Sequence, residues 1–358
     1  MKNIIINSII VSIATIFLIS CDNSSETSKS ISTSSNSKVK WKMASTFPGN
    51  LSIVGVGGVN FVKRLNTVSN GSIEIKFFEP GALVPPLEIF DAVSTGAVDA
   101  GWSSPGFWAG KIPAVQFFTA IPFGPNASEV LAWYHEGGGR EIWEEIYARH
   151  NLRPIQCLIT SPEASGWFRE EITSIEDLKG LKMRFFGLGA KVMEKIGVST
   201  QLIAPGDIYP ALELGTIDAT EFAMPSMDLE LGFYQVAKHY YFPGWHQPAS
   251  AGELLINLNK WNALSESQKA QIEATCTESV VKSLAMAESR QPKALEKLQA
   301  KGVTLHRWSD EILTVFENAW HEVVEEEAAK NEDFARVWAS LSEFRKSYKT
   351  WKDLGFVD

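Results

Sequence analysis

The pattern of apolar and polar positions alternates between strand and helix spacing at the start of the predicted folded region. Residues 39–47 read as an opening strand, 52–68 place apolar residues at helical spacing, and 72–78 alternate again. A strand, a helix and a second strand in this order form a βαβ unit, in which the two strands pair in parallel. The sequence therefore predicts an α/β protein.

A helix–glycine–strand pattern occurs twice, at 89–100 and at 208–219. In both copies a short amphipathic segment ends at a glycine, Gly96 or Gly215, which can adopt the left-handed conformation without steric cost. A strand follows at once in each copy. Two copies of one unit predict two similar α/β lobes, whereas two unrelated helix–strand connections are the alternative.

Each copy delivers a few residues to the end of its strand. The first copy presents Trp102, Ser103 and Ser104, and the second presents Glu221 and Phe222. In open α/β sheets the carboxyl ends of the strands face the ligand crevice. We therefore expect these residues at or near a binding site.

Later segments complete the predicted organisation, with a strand at 252–258, a long helix at 266–298 and further helices from residue 310. A strand that returns to the first lobe after the second implies that the chain crosses between lobes more than once, and such crossings act as hinges. The predicted parts are lobe I at 39–161 plus 250–290, lobe II at 162–249 plus 291–330, and a C-terminal helical extension at 331–358.

The first 38 residues predict export and a lipid anchor. Residues 1–20 have a basic start and an apolar run too short for a spanning helix, which is typical of a signal peptide. The sequence LISC at 18–21 looks like a bacterial lipobox, in which cleavage leaves Cys21 as a diacylated N-terminus. A plain signal peptide with a chance cysteine is the alternative. Residues 21–38 are rich in Ser, Thr and Asn and predict a flexible tether. The protein is thus expected in the periplasm, anchored to the membrane by lipid.

The composition limits which kinds of ligand and partner the protein is expected to bind. The chain has 358 residues, of which 45% are hydrophobic and 21% charged, enough for two packed domains. Its net charge of −9 argues against a nucleic-acid partner, so an anionic ligand would need a local positive site. Cys157 and Cys276 are the only cysteines beyond Cys21, and either a disulfide or two buried thiols is compatible with their spacing.

Arg184 is the candidate for that positive site. It lies among apolar neighbours in a predicted strand at 181–186, directly after a capped short helix at 174–180. A guanidinium group can bind a carboxylate through two parallel hydrogen bonds. The carboxylate belongs either to a ligand or to an acidic residue of the same lobe, and the pattern alone leaves both possibilities open.

The segment DLKGLKMR at 177–184 resembles the signature of the TRAP-transporter solute-binding proteins. Other segments are similar to the subgroup that binds 2-oxo and 2-hydroxy monocarboxylates, namely FWAGKIPA at 107–114, FFTAIPFG at 117–124, GGGREIW at 137–143, GWFR at 166–169 and YFPGW at 241–245. The resemblance extends from about Lys40 onward and depends on the order and spacing of the segments. It implies a two-lobed periplasmic-binding-protein fold, a receptor without catalytic activity, and two integral membrane subunits, one small and one large, as partners.

The resemblance also implies a ligand held partly through a metal ion. Arg184 matches the carboxylate-binding arginine, and Glu221 matches an acidic metal ligand. Phe222 matches an aromatic residue whose main-chain carbonyl can coordinate the ion. Gln247 matches a residue that provides a further side-chain oxygen ligand. Glu163 stands where the resemblance leads us to expect glutamine, and its oxygen would face the ion or the ligand. An all-oxygen shell suits Ca²⁺ or Na⁺.

Charge balance favours Ca²⁺ over Na⁺. Glu163, Glu221 and a ligand carboxylate bring three negative charges, which Arg184 and a divalent ion would neutralise, and a net charge in a closed cleft is costly. The competing interpretation has no metal, and Glu163 then accepts hydrogen bonds from ligand hydroxyls.

The remaining candidates line the cleft or cover the lobes. Candidates for the cleft wall and its hydrogen bonds are Trp102, Phe107, Trp108, Phe186, Ser103 and Ser104. The apolar C-terminal residues either pack on the lobes or form a helical homodimer contact; they are Trp338, Leu341, Phe344, Trp351 and Phe356.

Two other functions are compatible with export. An exported hydrolase acting on small acids is one alternative, although the chain has no Gly-x-Ser-x-Gly elbow. A binding protein serving an ABC importer or a sensor is the other.

Overall fold

The computed structural model describes residues 38–355. The predicted signal peptide, the lipobox with Cys21, and Phe356 at the other end lie outside the described residues. Within them, no helix is both long and apolar enough to cross a membrane.

The strands of the described region form one five-stranded and one six-stranded sheet. Their bounds are β1 (Val39–Ser45), β2 (Ile73–Phe78), β3 (Ala100–Ser103), β4 (Leu152–Ile159), β5 (Gly166–Phe168), β6 (Lys182–Arg184), β7 (Ser199–Gln201), β8 (Ala219–Thr220), β9 (His239–Phe242), β10 (Ala251–Asn257) and β11 (Thr304–Arg307).

Helices cover both sheets and make up the end of the described chain. Their bounds are α1 (Val54–Val68), α2 (Ile89–Ser94), α3 (Ala127–Glu136), α4 (Gly139–Ala148), α5 (Leu188–Lys195), α6 (Pro205–Glu213), α7 (Pro225–Leu231), α8 (Leu258–Asn262), α9 (Glu266–Ala300), α10 (Asp310–Lys330) and α11 (Glu332–Gly355).

The first sheet has the strand order β2-β1-β3-β10-β4. Strand β1 pairs in parallel with β2, in the register Val39 to Ile73, and also in parallel with β3. Strand β10 is antiparallel to both β3 and β4. The predicted βαβ unit is therefore confirmed, and the returning strand joins this sheet.

The second sheet has the order β11-β9-β5-β8-β6-β7. It takes five consecutive strands of the chain, β5 to β9, before the chain returns to the first sheet as β10 and then comes back as β11. The prediction of an α/β fold in which the chain crosses between two halves is thus confirmed. The lobe boundaries stated above stay a prediction.

Both copies of the helix–glycine–strand unit form as predicted. Helix α2 is followed by Gly96 with φ +80° and then by β3, and α6 is followed by Gly215 with φ +72° and then by β8. Positive φ strains any residue with a Cβ, which explains glycine at both positions. The units supply β3 to the first sheet and β8 to the second.

Helix α9 ties the halves together. Its first turn is stabilised by a capping box of Ser265 and Gln268, and the helix packs against β4, α1 and α7. Cys157 of β4 and Cys276 of α9 form a disulfide with a Cα–Cα distance of 4.2 Å. The question that the cysteine spacing left open is answered by this bond, which fixes α9 to the first sheet.

Two long helices, α10 and α11, end the described chain, and the predicted extension at 331–358 coincides with α11 as far as residue 355. Helix α10 begins after Ser309, whose side chain accepts a hydrogen bond from the Ile312 N–H, and it packs against α5 on the side of the second sheet. Helix α11 then packs against α3 and α4 on the side of the first sheet. Of its apolar residues, Leu341 is fully buried, whereas Trp351 is 60% exposed.

Candidate functional site

The carboxyl ends of strands from both sheets lead into one cavity. Strand β6 ends at Arg184 and pairs in parallel with β8, so that Arg184 lies opposite Thr220 and next to Glu221. The Glu221 N–H donates to the Arg184 carbonyl at 3.1 Å. From the first sheet, β3 leads to Ser104, which lines the same cavity as Arg184. The helix–glycine–strand units thus converge as their pattern suggested.

Arg184 is buried in the cavity wall. Its Nη1 donates to the Glu221 carboxylate at 2.7 Å and to the Glu221 main-chain carbonyl at 2.8 Å. The guanidinium lies over two rings, 5.6 Å from the centre of Phe186 and 5.5 Å from that of Phe222. Burial lowers the pKa of Arg184, an effect that the Glu221 and Glu163 carboxylates oppose. Arg184 therefore forms the internal ion pair with an acidic residue that was one of the two possibilities in the sequence, and it also lines the cavity.

Glu163 and Gln247 form the second polar part of the cavity. The Gln247 side-chain amide donates to Glu163 Oε2 at 2.7 Å, and the Glu163 N–H donates to the Gln247 carbonyl at 3.1 Å. Gly244 approaches so closely that a Cβ there would lie 2.2 Å from the Glu163 carbonyl oxygen. Burial, followed by repulsion from Glu221, raises the pKa of Glu163 well above its usual value.

His246 was not assigned a role from the sequence. It lies between Trp245 and Gln247, is almost completely buried, and both of its ring nitrogens lack a hydrogen-bond partner among the described residues. Its Nε2 is 3.6 Å from Glu221 Oε2. The only signal in the sequence was its position directly before Gln247.

Several buried polar atoms of this cluster have no hydrogen-bond partner among the described residues. They are Glu221 Oε2, Gln247 Oε1 and both ring nitrogens of His246. Donor atoms of Glu163, Glu221 and His246 lie within 4.8 Å of one another. Buried polar atoms are normally satisfied, and converging carboxylate, amide and imidazole atoms can satisfy their lone pairs on a cation. The residues present therefore fit a metal ion.

Buried Asp228 lies close to this cluster. Its Oδ2 accepts hydrogen bonds from Trp167 Nε1 at 2.8 Å and from the Tyr240 hydroxyl at 2.7 Å. Burial raises the pKa of Asp228 to about 7, and nearby Glu221 adds to the increase. Asp228 is therefore largely neutral below that pH.

The cavity is small and mostly apolar. The predicted residues that line it are Ser104, Phe107, Glu163, Arg184, Phe186, Phe222 and Gln247. The centre of a water-sized sphere can occupy about 40 Å³ of it. Since one water needs roughly 10–15 Å³ by this measure, the cavity has room for about three or four water-sized groups.

Three of the predicted wall residues lie elsewhere, in the core. Trp108 donates its indole N–H to buried Glu253 at 2.7 Å, and Trp102 donates to the Val54 carbonyl at 2.7 Å. The Ser103 hydroxyl is 2.7 Å from that of Thr46. The structure does not bring these three side chains to the cavity wall, because each finds its polar partner inside the first half of the molecule.

Comparison with known proteins gives a consistent result. A family model described as bacterial extracellular solute-binding protein, family 7, matches residues 44–331. The chain is 36% identical over 347 residues to a monocarboxylate 2-oxoacid-binding periplasmic protein of Nostoc sp. strain PCC 7120. The match covers 97% of this chain and 94% of that protein.

Two solved structures have the same fold. A TRAP transporter solute-binding protein of Bordetella bronchiseptica, a dimer with calcium and picolinate in one site and an apo second site, has a TM-score of 0.86 at 36% identity, over 88% of this chain and 94% of that one. A TRAP periplasmic solute-binding protein of Pseudoalteromonas atlantica with sodium and pyruvate has a TM-score of 0.84 at 31% identity, over 88% and 96%.

Proposed function

Because the chain belongs to family 7 of the bacterial extracellular solute-binding proteins and is a TRAP extracytoplasmic solute receptor, we propose that it captures a small organic monocarboxylate, a 2-oxo or 2-hydroxy acid. Members of this family are receptors that work with membrane subunits, which disfavours the exported hydrolase. Similarity to TRAP receptors likewise disfavours an ABC importer or a sensor.

The observation that carries the ligand proposal is Arg184 in the wall of a small cavity. Two aromatic rings and Glu221 hold its guanidinium in place, so that little side-chain entropy is lost when a carboxylate binds. The available space suits an acid with few non-hydrogen atoms. The Nostoc relative is named for 2-oxoacids, and the Pseudoalteromonas neighbour holds pyruvate.

We further propose that a divalent metal ion binds beside the ligand. Glu163, Glu221, Gln247 and the main-chain carbonyl of Phe222 would hold it. A cation beside Glu163 would favour its ionised form, and Glu163 and Glu221 with a ligand carboxylate would then carry three negative charges. Arg184 and a divalent ion balance these charges, so Ca²⁺ is favoured over Na⁺. The two solved neighbours hold calcium and sodium, respectively. When bound, the ion would supply positive charge that stabilises these carboxylates and the ligand carboxylate.

Thermal unfolding of refolded, ligand-stripped protein tests the proposal. We expect pyruvate or lactate to raise the midpoint in Ca²⁺, less in Na⁺, and not in chelator, because a ligand of the folded state stabilises it by mass action. Succinate serves as the dicarboxylate control. In Na⁺-free buffer, a chelator-insensitive shift would contradict the metal. A shift with succinate alone would contradict the monocarboxylate, and no shift with any acid would contradict the ligand class altogether.

We also propose that the receptor is exported by its signal peptide and anchored through a lipid on Cys21. The family is periplasmic, and the segment LISC at 18–21 supports the anchor. Expression of the full chain followed by detergent phase separation tests this proposal. The wild type should partition into the detergent phase and Cys21→Ser into the aqueous phase, whereas equal partitioning would contradict it.

A homodimer through α11 is the last part of the proposal. Trp351 and Leu354 near the end of this helix are 60% and 81% exposed, and the Bordetella neighbour is a dimer. Light scattering after size exclusion should give a dimer for the wild type and a monomer for Leu354→Glu. A monomeric wild type would contradict this part.

A further inference from the structure

One aromatic ring lies between the ligand cavity and a second, larger space. Phe186 lines the cavity, whereas its chain neighbours Phe185 and Gly187 line a groove of their own, which we call the outer groove. The centre of a water-sized sphere can occupy about 240 Å³ of the outer groove, against about 40 Å³ of the cavity. Residues from both halves of the molecule line the outer groove, among them Gly106, Ala109, Phe185, Ala190, Gln201 and Leu202. At Phe186 the cavity wall therefore has open space behind it.

The ring of Phe186 is seated on the backbone of Gly106. A Cβ added to Gly106 would lie 2.4 Å from Cζ of Phe186, 2.8 Å from Cε1 and 3.0 Å from Cε2, so the outer edge of the ring lies directly on the glycine. Phe107 packs beside it, with 4.7 Å between ring centres. Atoms packed this closely leave no passage for a carbon chain. Phe186 and Gly106 thus separate the cavity from the outer groove.

This wall lies next to the place where the ligand carboxylate is proposed to bind. The Arg184 guanidinium is 5.6 Å from the centre of the Phe186 ring and 5.5 Å from that of Phe222. The two rings differ in what lies behind them. Phe222 packs against fully buried Phe233, with 6.4 Å between ring centres, and is therefore backed by the core. Phe186 is backed by the outer groove.

We propose that Phe186 sets the upper length of the carbon chain that the receptor accepts. This inference rests on the proposed function, because it uses the same cavity and the same arginine. An acid the size of pyruvate fits the cavity, whereas a longer chain meets the Phe186 ring. Without the ring, the cavity and the outer groove would be continuous, and the apolar side chains of Ala109, Ala190 and Leu202 could contact the additional carbons.

Titrations with 2-oxo acids of increasing length, all in Ca²⁺, test the proposal. In the wild type, 2-oxohexanoate and 2-oxooctanoate should bind at least about tenfold more weakly than pyruvate, because a single methylene group in a fitted pocket already changes affinity about tenfold or more. In Phe186→Ala, the affinity for 2-oxooctanoate relative to pyruvate should rise by at least about tenfold. The ratio removes any common loss at Arg184, since both acids present the same carboxylate.

Phe222→Ala is the matched control. It removes the same kind of ring from beside the same guanidinium, but the space that it leaves is closed by Phe233. The affinity for 2-oxooctanoate relative to pyruvate should therefore stay within about threefold of the wild-type ratio. An equal gain in Phe222→Ala and Phe186→Ala would mean that the loss of either ring admits longer acids, and it would overturn the specific role of Phe186.

The wild-type titrations do not depend on the folding of a variant. Wild-type protein that binds 2-oxooctanoate as tightly as pyruvate would overturn the length limit and leave the receptor intact. Pyruvate binding with an unchanged ratio in Phe186→Ala would overturn the role of Phe186 and also leave the proposed function intact. Wild-type protein that binds none of these acids would contradict the proposed function itself, and the length limit with it.

Discussion

Arg184 and Glu221 lie side by side on the ends of parallel strands and are joined by two hydrogen bonds from one nitrogen, Arg184 Nη1. Nε donates to the Ile203 carbonyl at 3.3 Å, and Nη2 makes no hydrogen bond to any described residue. Nη1 and Nε thus hold the side chain in place. Arg184 lines the cavity, and its Nη2 is the nitrogen left to bind a ligand carboxylate there.

Replacing Arg184 should abolish most of the ligand affinity. Arg184→Ala should weaken pyruvate binding by about 2–5 kcal/mol, because it leaves the ligand carboxylate and Glu221 without their buried partner. Arg184→Lys keeps the charge but not the planar arrangement of donors, so its pyruvate affinity should lie between those of the wild type and Arg184→Ala. Isothermal titration calorimetry measures both, and an affinity within about threefold of wild type for Arg184→Ala would contradict the role of Arg184.

Local patterns predicted much of this architecture. The positive-φ glycines Gly96 and Gly215 mark the ends of two helices because the reason for glycine there is local. Arg184 was found because a charge inside an apolar strand is unusual. His246 was missed, and Trp108 lies in the core, because their surroundings depend on partners such as Glu221 and Glu253 that are distant in sequence. Patterns predict which strand ends meet, but not which side chain finds its partner inside a lobe.

Gly106 and Phe186 should control closure of the cavity. A Cβ on Gly106 would lie 2.4 Å from Cζ of Phe186, and the Phe107 and Phe186 rings are 4.7 Å apart. Gly106 belongs to the part of the chain between β3 and β4 of the first sheet, and Phe186 directly follows β6 of the second. Gly106→Ala should therefore hinder the approach of the two halves and lower pyruvate affinity by about tenfold, at an energy of about 1.4 kcal/mol.

The chain offers a matched control for this change. A Cβ on Gly110 would meet no atom within 4 Å, so Gly110→Ala should bind as wild type. Adding Phe186→Leu to Gly106→Ala should restore part of the affinity. Calorimetry together with small-angle scattering measures affinity and closure, and equal behaviour of Gly106→Ala and Gly110→Ala would rule out the contact as a determinant of closure.

Glu253 should make stability depend on pH. It is buried in the first half, where its carboxylate accepts hydrogen bonds from Trp108 and Tyr147, and burial raises its pKa to about 8. Between its ordinary pKa of 4.5 and about 8, the folded state keeps a proton that the unfolded state releases. The stabilisation is therefore complete below pH 4.5 and is lost as the pH rises toward 8, by on the order of 4 kcal/mol.

Urea unfolding at pH 5.5 and pH 8.5 measures this effect. Glu253→Gln cannot titrate and should lose this part of the pH dependence, whereas Glu343→Gln, on the exposed face of α11, should keep it. An unchanged pH dependence in Glu253→Gln would exclude Glu253 as its source.

The disulfide should stabilise the fold without affecting the ligand. It closes a separation of 119 residues between β4 and α9, and neither cysteine lines the cavity. Cys157→Ala with Cys276→Ala should lower the free energy of unfolding by about 2–4 kcal/mol, because the bond restricts the unfolded chain. Ligand affinity, measured well below the unfolding midpoint, should stay within about twofold, or about 0.4 kcal/mol. A larger loss of affinity would mean that the position of α9 governs the cavity.

Glu163 should decide between monovalent and divalent ions. Glu163→Gln keeps an oxygen donor at the position, where Glu163 now accepts a hydrogen bond from Gln247, but it removes one negative charge. Glu221 and a ligand carboxylate then face Arg184 alone, and a single positive charge balances the site. Na⁺ should therefore support pyruvate binding as well as Ca²⁺ does in this variant, with Ca²⁺ affinity reduced by about tenfold or more. Pyruvate titrations in each ion measure the change.

Glu253→Gln is the control for Glu163→Gln. It removes a similarly buried carboxylate that does not line the cavity, and it should leave the ion preference as in wild type. If Glu163→Gln keeps the wild-type preference, the charge of Glu163 does not select the ion.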